Sequence, residues 1–348
     1  MIPTCLRGTL PYNFSVTDLA FFQNRLTKNA RHLRKWAARN EVYAYRLYDC
    51  DIPEFPVIID TYEAGSAQST DAGPVSWLHF QEVDTGWRQS EAEHREWIDL
   101  VASTAAETLA VEPGHTAIKL RARQRPRGSG AEEKGEQHQA TGRRGEDLIV
   151  REGGHRFIVN LQNYLDTGLF LDHRKTRRMV GELARDKRFL NLFGYSGSFS
   201  VYAAGGSARS TVTVDLSNTY SDWAERNLAL NGADPVAHKV VRADVFAWLR
   251  DAVDAQQTYD LIVLDPPSFS NSKKMLGVLD VQRDHPWLIR QCLALLSRDG
   301  ELFFSTNLRS FKLDELVRTK AQFTEISAAT VPEDFRDKKI HRCWRVKR

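Results

Sequence analysis

Asp265-Pro266-Pro267-Ser268-Phe269 concentrates the groups in this chain best suited to hold and orient a planar substrate. Leu261 to Leu264 before it is wholly apolar, the pattern of a short strand buried on both faces. The two prolines have no backbone N–H and cannot extend a ladder, so the chain must leave the sheet there. A carboxylate, rigid carbonyls and an aromatic ring then stand at the carboxyl end of a strand. Ligands of open α/β sheets bind at that end. The plain alternative is a strand ending in an ordinary proline turn, and the neighbouring segments weigh against it.

Asn191-Leu-Phe-Gly-Tyr-Ser-Gly-Ser198 joins an earlier strand to its helix, and Gly194 and Gly197 let the backbone turn tightly and approach a ligand. The Gly-x-x-Gly spacing is not the Gly-x-Gly-x-x-Gly of a dinucleotide pyrophosphate site. Asp215 ends the next strand, where a carboxylate can accept hydrogen bonds from ribose hydroxyls, and Ser217 suits the N-cap of the following helix. Asp244 ends the third strand, in position for the exocyclic amine of an adenine and equally for a helix N-cap. A glycine loop, Asp, Asp and Asp-Pro-Pro on successive strand ends describe S-adenosylmethionine better than NAD.

The elements that must position these groups alternate regularly in the second half. Strands fit at 188–193, 210–215, 239–242, 259–265, 301–306, roughly 322–328 and 341–346. Helices fit at 173–184, 198–204, 218–231, 245–253, 280–296 and 312–320, with Gly232 and Gly300 placed as C′ residues after helices. This predicts an α/β fold, a doubly wound, Rossmann-like sheet of seven strands, over 165–348. Residues 1–164 predict a smaller N-terminal α+β domain, with the boundary near Leu165. It starts with a helix over 17–40, then strands at 42–47, 57–62 and 75–81, a helix at 91–109, and strands at 148–151 and 155–161. A length of 348 residues lets each part bury its own core.

Two segments gather positive charge. The first helix sets Leu19, Phe22, Leu26, Leu33 and Trp36 on one side and Arg25, Lys28, Arg31, Arg34, Lys35 and Arg39 on the rest. In Lys119-Leu-Arg-Ala-Arg-Gln-Arg-Pro-Arg127 every second residue is basic, so on a strand Lys119, Arg121, Arg123 and Arg125 would form one cationic stripe. Lys273 and Lys274 follow the proline turn. All are candidates for nucleic-acid phosphates, the competing reading being a charged edge strand that discourages aggregation. The loop 126–146 has no apolar periodicity. The net charge of +3 is by itself too small to imply a polyanionic partner.

No stretch reaches the roughly 18 consecutive apolar residues of a membrane helix, and no signal-peptide pattern opens the chain. Cys5, Cys50, Cys292 and Cys343 lack Cys-x-x-Cys spacing, so neither a zinc site nor a disulfide framework is expected, and a reduced, cytoplasmic setting is the default.

The segments 45–49 (Tyr-Arg-Leu-Tyr-Asp), 164–174 (Tyr-Leu-Asp-Thr-Gly-Leu-Phe-Leu-Asp-His-Arg), 191–198, 213–217, 223–232, 265–275 and 280–285 resemble the class I S-adenosylmethionine-dependent RNA methyltransferases. More closely, they resemble the large-subunit ribosomal RNA methyltransferases of the K type, which methylate guanine N7 in 23S rRNA. The likeness covers roughly 17–348. It implies that Phe170, Arg174, Asn191, Phe193, Gly194, Tyr195 and Gly197 surround the methionine end of the cofactor. Asp215 with Ser217 would serve the ribose, Asp244 the adenine and Asp265 both cofactor and target base. Pro266, Phe269 and Asn307 would face the base. The implied partner is 23S rRNA or a large-subunit precursor, with no metal and no membrane.

Cytosine-C5 methylation needs a cysteine that adds to the ring, and residues 265–291 and the end of strand five, Phe304-Ser-Thr-Asn307, contain none. Guanine N7 offers a lone pair with no proton to remove, so in-line attack needs orientation and exclusion of water. A base in structured RNA must also be flipped out to reach such a pocket. The residues alone separate N7 from adenine N6 poorly, and the resemblance decides for N7. A non-catalytic RNA-binding assembly factor on the same fold is the alternative of another class.

Overall fold

The computed structural model describes residues 16–66, 75–83, 90–119, 145–164, 166–271 and 277–348. They form two compact units, one from Met1–Gly154, Val159–Thr167 and Glu333–Asp337, the other from His155–Ile158, Gly168–Pro332 and Lys338–Arg348.

The first unit opens with α1 (Val16–Arg39). Phe22, Leu26, Ala30 and Ala37 recur at helical spacing and are buried, while Phe21, Arg25, Lys28, His32, Lys35 and Arg39 are exposed. Strands β1 (Ala44–Asp49), β2 (Val57–Ser66) and β3 (Val75–Glu82) follow. Helix α2 (Glu91–Leu109) starts at a capping box in which Ser90 and Glu93 satisfy each other's backbone N–H. Strands β4 (Thr116–Lys119) and β5 (Leu148–Glu152) follow, and β6 (His155–Val159), whose first four residues group with the second unit, ends the sheet. Its order is β4-β3-β2-β5-β6, with β1 also on β2 and β3–β4 a parallel pair. The core lies between this sheet and the two helices, where the Phe22 ring stacks on Phe55 at 4.6 Å. Arg46 explains why Glu333–Asp337 belongs here. Its backbone N–H donates to Asp334 Oδ2 (2.9 Å), and its buried guanidinium pairs with Asp60 and lies 4.4 Å over the Phe335 ring.

The second unit alternates α3 (Arg174–Leu183), β7 (Arg188–Leu192), α4 (Ser198–Gly205), β8 (Ser210–Asp215), α5 (Asn218–Leu230), β9 (His238–Arg242) and α6 (Val245–Asp254). It continues through β10 (Tyr259–Leu264), a two-stranded ribbon of β11 (Phe269–Ser270) and β12 (Leu279–Asp280), α7 (Val281–Leu295) and β13 (Leu296–Thr306). Short α8 (Glu315–Arg318), β14 (Gln322–Glu325) and α9 (Ser327–Thr330) precede the last strand, β15 (Arg342–Lys347). The seven-stranded sheet runs β14-β15-β13-β10-β7-β8-β9, with β15 antiparallel to both neighbours. Strand order reverses between β7 and β10, so the crevice of a doubly wound sheet opens at their carboxyl ends. β10 is buried on both faces as its apolar run predicts. Leu261 and Val263 pack with Val180, Phe199 and Ala203, while Ile262 and Leu264 pack with Leu249, Leu288 and Ile289.

Three sequence expectations need correction. Gly300 is no helix C′ residue: α7 passes directly into β13 at Leu296, and Gly300 lies inside that strand. The strand expected over 322–328 stops at Glu325, because Ser327 Oγ accepts the Cys343 N–H and the chain coils into α9. The helix expected over 312–320 is one turn, capped by Asp314 on the Val317 N–H.

Candidate active site

Four strand ends of the second unit build the site. After β7 the chain enters an unusual loop in which Phe193 and Tyr195 both adopt the left-handed region (φ 57° and 49°), followed by Gly197 at φ 75°. Non-glycine residues hold that conformation only where neighbours over-determine it. Here the Tyr195 N–H donates to Asp215 Oδ2 (3.0 Å), and the Tyr195 hydroxyl accepts the Gly168 N–H (2.8 Å). Ser196 Oγ donates to the Gly168 carbonyl (2.5 Å), and Asn227 Nδ2 donates to the Ser196 carbonyl (2.9 Å). The loop is therefore clamped from the 168–170 segment on one side and from α5 on the other. Gly197 admits the close approach of α5, since a Cβ there would stand 2.8 Å from that of Ala224. Gly194 serves packing instead, as its Cβ would meet Thr213 Cγ2 at 2.3 Å.

Beside this loop the Phe170 ring is 43% exposed and lies 4.7 Å from that of Tyr195 at 33°, an aromatic corner open to solvent. The buried Arg177 fixes its backbone by donating to the Phe170 carbonyl (2.8 Å). Asp215 is half-buried, and its second oxygen accepts the Ser217 N–H (2.8 Å). Ser217 caps α5 and Asp244 caps α6, the latter accepting from Phe246 (2.7 Å) and Ala247 (3.4 Å).

On β10 the turn delivers Asp265 half-buried, Pro266 buried and the Phe269 ring 53% exposed. Ser305, on the neighbouring β13, donates to Asp265 Oδ1 (2.5 Å), and Ser268 Oγ bonds the Asn307 side-chain oxygen. The antiparallel pairing of Phe269 with Asp280 holds the exposed ring at the mouth of the turn. On its inner side, Asp265 Oδ2 lies 3.5 Å from His173 Nε2. The His173 ring stacks on His341 (4.5 Å, 8°), and His341 bonds Asp172 Oδ2 through Nδ1 (2.9 Å) and Thr330 through Nε2 (3.0 Å). Burial holds the His173 imidazole below the usual histidine range, against the pull of Asp265 and Asp172. Asp172, His173 and His341 have donor types seen in metal centres. Stacked, parallel imidazoles cannot both aim an in-plane lone pair at one ion.

The structure thus brings Phe170, Phe193, Gly194, Tyr195, Gly197, Asp215 and Ser217 into one loop cluster, and Asp265, Pro266, Phe269 and Asn307 around one turn. Two residues expected at the cofactor are buried. Asn191 is 1% exposed and donates to Ser200 Oγ (3.1 Å), itself 2.6 Å from Thr213 Oγ1, so it braces the sheet beneath the loop. Arg174 is buried at the start of α3. Of the cationic stripe only Lys119 is described, and it too is buried. Its side chain shares the inward face of β4 with Ala117, and burial pulls its ammonium down to about 8. Arg121, Arg123, Arg125, Lys273, Lys274 and Leu165 lie outside the described residues. Sequence reasoning missed the Gly168 clamp and the His173–Asp172–His341 stack. The Thr-Gly-Leu-Phe-Leu-Asp-His segment held the signal for both, but His341 lies 169 residues from Asp172 and nothing local pairs them.

The family model for S-adenosylmethionine-dependent methyltransferases matches residues 83–338. A Neisseria meningitidis protein named ribosomal RNA large subunit methyltransferase K is 51% identical over 332 residues, covering 95% of this chain and 88% of that protein. A Methylococcus capsulatus methyltransferase K/L is 45% identical over 98% of this chain, which spans 43% of that longer protein. Among solved structures, a methyltransferase complexed with SAH superposes with a TM-score of 0.71 at 26% identity, over 95% of this chain and 82% of that one. A Streptococcus mutans methyltransferase gives the same TM-score at 25% identity, over 98% and 83%. The chain belongs to the S-adenosylmethionine-dependent methyltransferase family, on the branch of the large-subunit ribosomal RNA methyltransferases K and K/L. Its cofactor is accordingly S-adenosylmethionine. No helix among the described residues is long and apolar enough to cross a membrane.

Proposed function

We propose that this protein transfers the methyl group of S-adenosylmethionine to N7 of a guanine in 23S ribosomal RNA, on the free RNA or a large-subunit precursor. The Phe170–Tyr195 corner and the loop through Gly197 receive the methionine end, Asp215 the ribose, and the edge of the crevice near Asp244 the adenine. The flipped guanine stacks on Phe269, with Asp265 and Asn307 at its edge. The purine lone pair displaces the sulfonium in line, and no proton has to leave. Orientation and exclusion of water supply the catalysis. The exposed cations of α1, with Arg121, Arg123, Arg125, Lys273 and Lys274, hold phosphates.

The observation that supports this reading is the corner where a carboxylate, Asp265, adjoins an exposed ring with no reactive thiol at hand. Cys292 and Cys343, the cysteines of this unit, are both 0% exposed, and burial drives each thiol far above its usual range. Neither can serve as the ring-adding nucleophile of cytosine-C5 transfer. In vitro transcribed 23S rRNA, incubated with the protein and labelled S-adenosylmethionine and digested to nucleosides, should yield 7-methylguanosine. Label recovered only in 5-methylcytidine or N6-methyladenosine refutes the N7 reading, and no heat of cofactor binding by calorimetry refutes enzymatic function.

A further inference from the structure

Asp265 is the exposed end of a buried chain of polar groups that direct methyl transfer leaves without a task. Its Oδ1 is anchored by Ser305 Oγ (2.5 Å), and its Oδ2 faces His173 Nε2 at 3.5 Å, with Asp172 Oδ2 3.8 Å from the same nitrogen. His173 is 6% exposed, clamped between the His341 ring and the Phe199 ring. Its other nitrogen, Nδ1, is buried with no hydrogen-bond partner. A buried lone pair without a donor is tolerable, whereas a buried N–H without an acceptor costs the full desolvation of that group. The surroundings therefore select the neutral tautomer with its proton on Nε2, directed toward the two carboxylates. Protonation would place an N–H on Nδ1 where nothing accepts it.

This matters because methyl transfer to N7 moves charge. The N7 lone pair forms the N–CH3 bond, the C–S bond breaks and its electron pair stays on sulfur, so the positive charge passes from sulfonium to the purine ring. A full negative charge on Asp265 stabilises that developing cation. A cationic imidazole 3.5 Å away would cancel it.

We propose that His173 is the positioning residue for Asp265, aiming its carboxylate at the target base and, by staying neutral, leaving its charge available to the purine cation. The inference rests on the N7 reading of the site. The groups facing His173 are Asp172 in its own turn, Arg177 on α3, Asp265 after β10 and His341 before β15; the thiol of Cys343 on β15 keeps its proton, raised first by burial and then by the Asp265 charge. Desolvation sets the direction, and the resulting low affinity of His173 for a proton places its charging on the acid side of neutrality.

The test is single-turnover methyl transfer to in vitro transcribed 23S rRNA between about pH 5 and pH 8. Wild type should lose rate along an acid limb. His173→Gln, which keeps a donor and cannot titrate, should lower the plateau about three- to tenfold and flatten the limb. His173→Leu should lose about a hundredfold in kcat with unchanged KM for RNA, close to Asp265→Asn. Calorimetry with S-adenosylmethionine checks that each variant keeps the cofactor site. An acid limb in His173→Gln that superimposes on wild type overturns the proposal. Should the variants not fold, imidazole nitrogen resonances of the wild-type protein decide: neutral His173 at pH 7 is expected, and a protonated one overturns it. Nucleoside analysis reports the acceptor atom separately, so a methyl found elsewhere than N7 rejects the function while the pH profiles still judge His173.

Discussion

Gly168 is a single residue on which the loop after β7 leans twice, through its N–H to the Tyr195 hydroxyl and its carbonyl to Ser196. It sits at φ 98°, and a Cβ there would stand 2.2 Å from Trp223 Cζ2, a ring pinned by its own bond to the Ile158 carbonyl. Gly168→Ala should therefore cost about 2–4 kcal/mol in urea unfolding and weaken S-adenosylmethionine binding. Gly232→Ala is its control: φ is 72° but nothing lies within 4 Å, so about 1 kcal/mol should be lost with cofactor affinity intact. Equal cofactor affinity in both variants would remove the clamp. Lys119 supplies a prediction in pH. Burial depresses its folded-state value to about 8, below that of the unfolded chain, so the folded state disfavours the charged form and stability rises as pH climbs past 8. Lys119→Met should be more stable than wild type at neutral pH by about 1–3 kcal/mol, and that gain should fade as pH approaches about 10. Unfolding midpoints of both proteins at the two pH values check it.

At the scale of elements, the long periodic segments were readable from sequence and the short ones were not. The helix expected over 91–109, ahead of Pro113-Gly114, returns in the structure with the same bounds. β10 was readable because Leu261–Leu264 and the two prolines say where a buried strand begins and must stop. β14, α8 and α9 hold four residues each, too few for a period; a side-chain bond to Ser327 follows the end of β14, and the Asp314 cap sets the start of α8. The site divides the same way. Asp215, Asp244 and Asp265 are candidates by their position at strand ends. Asn191 and Arg174 rest on the resemblance alone, which does not show that both side chains are buried, and the His173–His341 stack joins segments with no sequence relation. Asp244 combines both difficulties, since capping α6 and meeting an adenine ask for the same carboxylate. Asp244→Ser separates them. Serine keeps the cap, so stability should change by no more than about 0.5 kcal/mol, whereas Asp244→Ala should cost about 1 kcal/mol. If the carboxylate also meets the adenine, both variants should bind S-adenosylmethionine about tenfold more weakly, a deficit of about 1.4 kcal/mol. Wild-type affinity in Asp244→Ser would leave Asp244 a cap and nothing more.

For the whole molecule, net charge is a poor guide and charge placement a better one. A surplus of three positive charges over 348 residues would barely bias an encounter with RNA. Yet residues 19–40 carry six Lys and Arg with no Asp or Glu among them. Because Phe22, Leu26, Ala30 and Ala37 claim the buried face of α1, Lys28, Lys35 and Arg39 are left together on the outer one, near the exposed Phe21. At 1.5 Å per residue the stretch from Phe21 to Arg39 spans about 27 Å, room for several successive phosphates. If these side chains neutralise phosphates, each contact releases a counterion, and log affinity falls with log salt by about 0.7–0.9 per contact. Replacing Lys28, Lys35 and Arg39 together by Ala should then flatten the salt slope of 23S rRNA binding by about 2–3 and weaken binding most at low salt. All three side chains are exposed, so the fold should persist, and calorimetry should return wild-type affinity for S-adenosylmethionine. Filter binding across a salt series decides it. A slope that does not move with the triple substitution would assign α1 no phosphate contacts and transfer the electrostatic role to Arg121, Arg123 and Arg125, where Arg121→Ala with Arg123→Ala should then produce the loss.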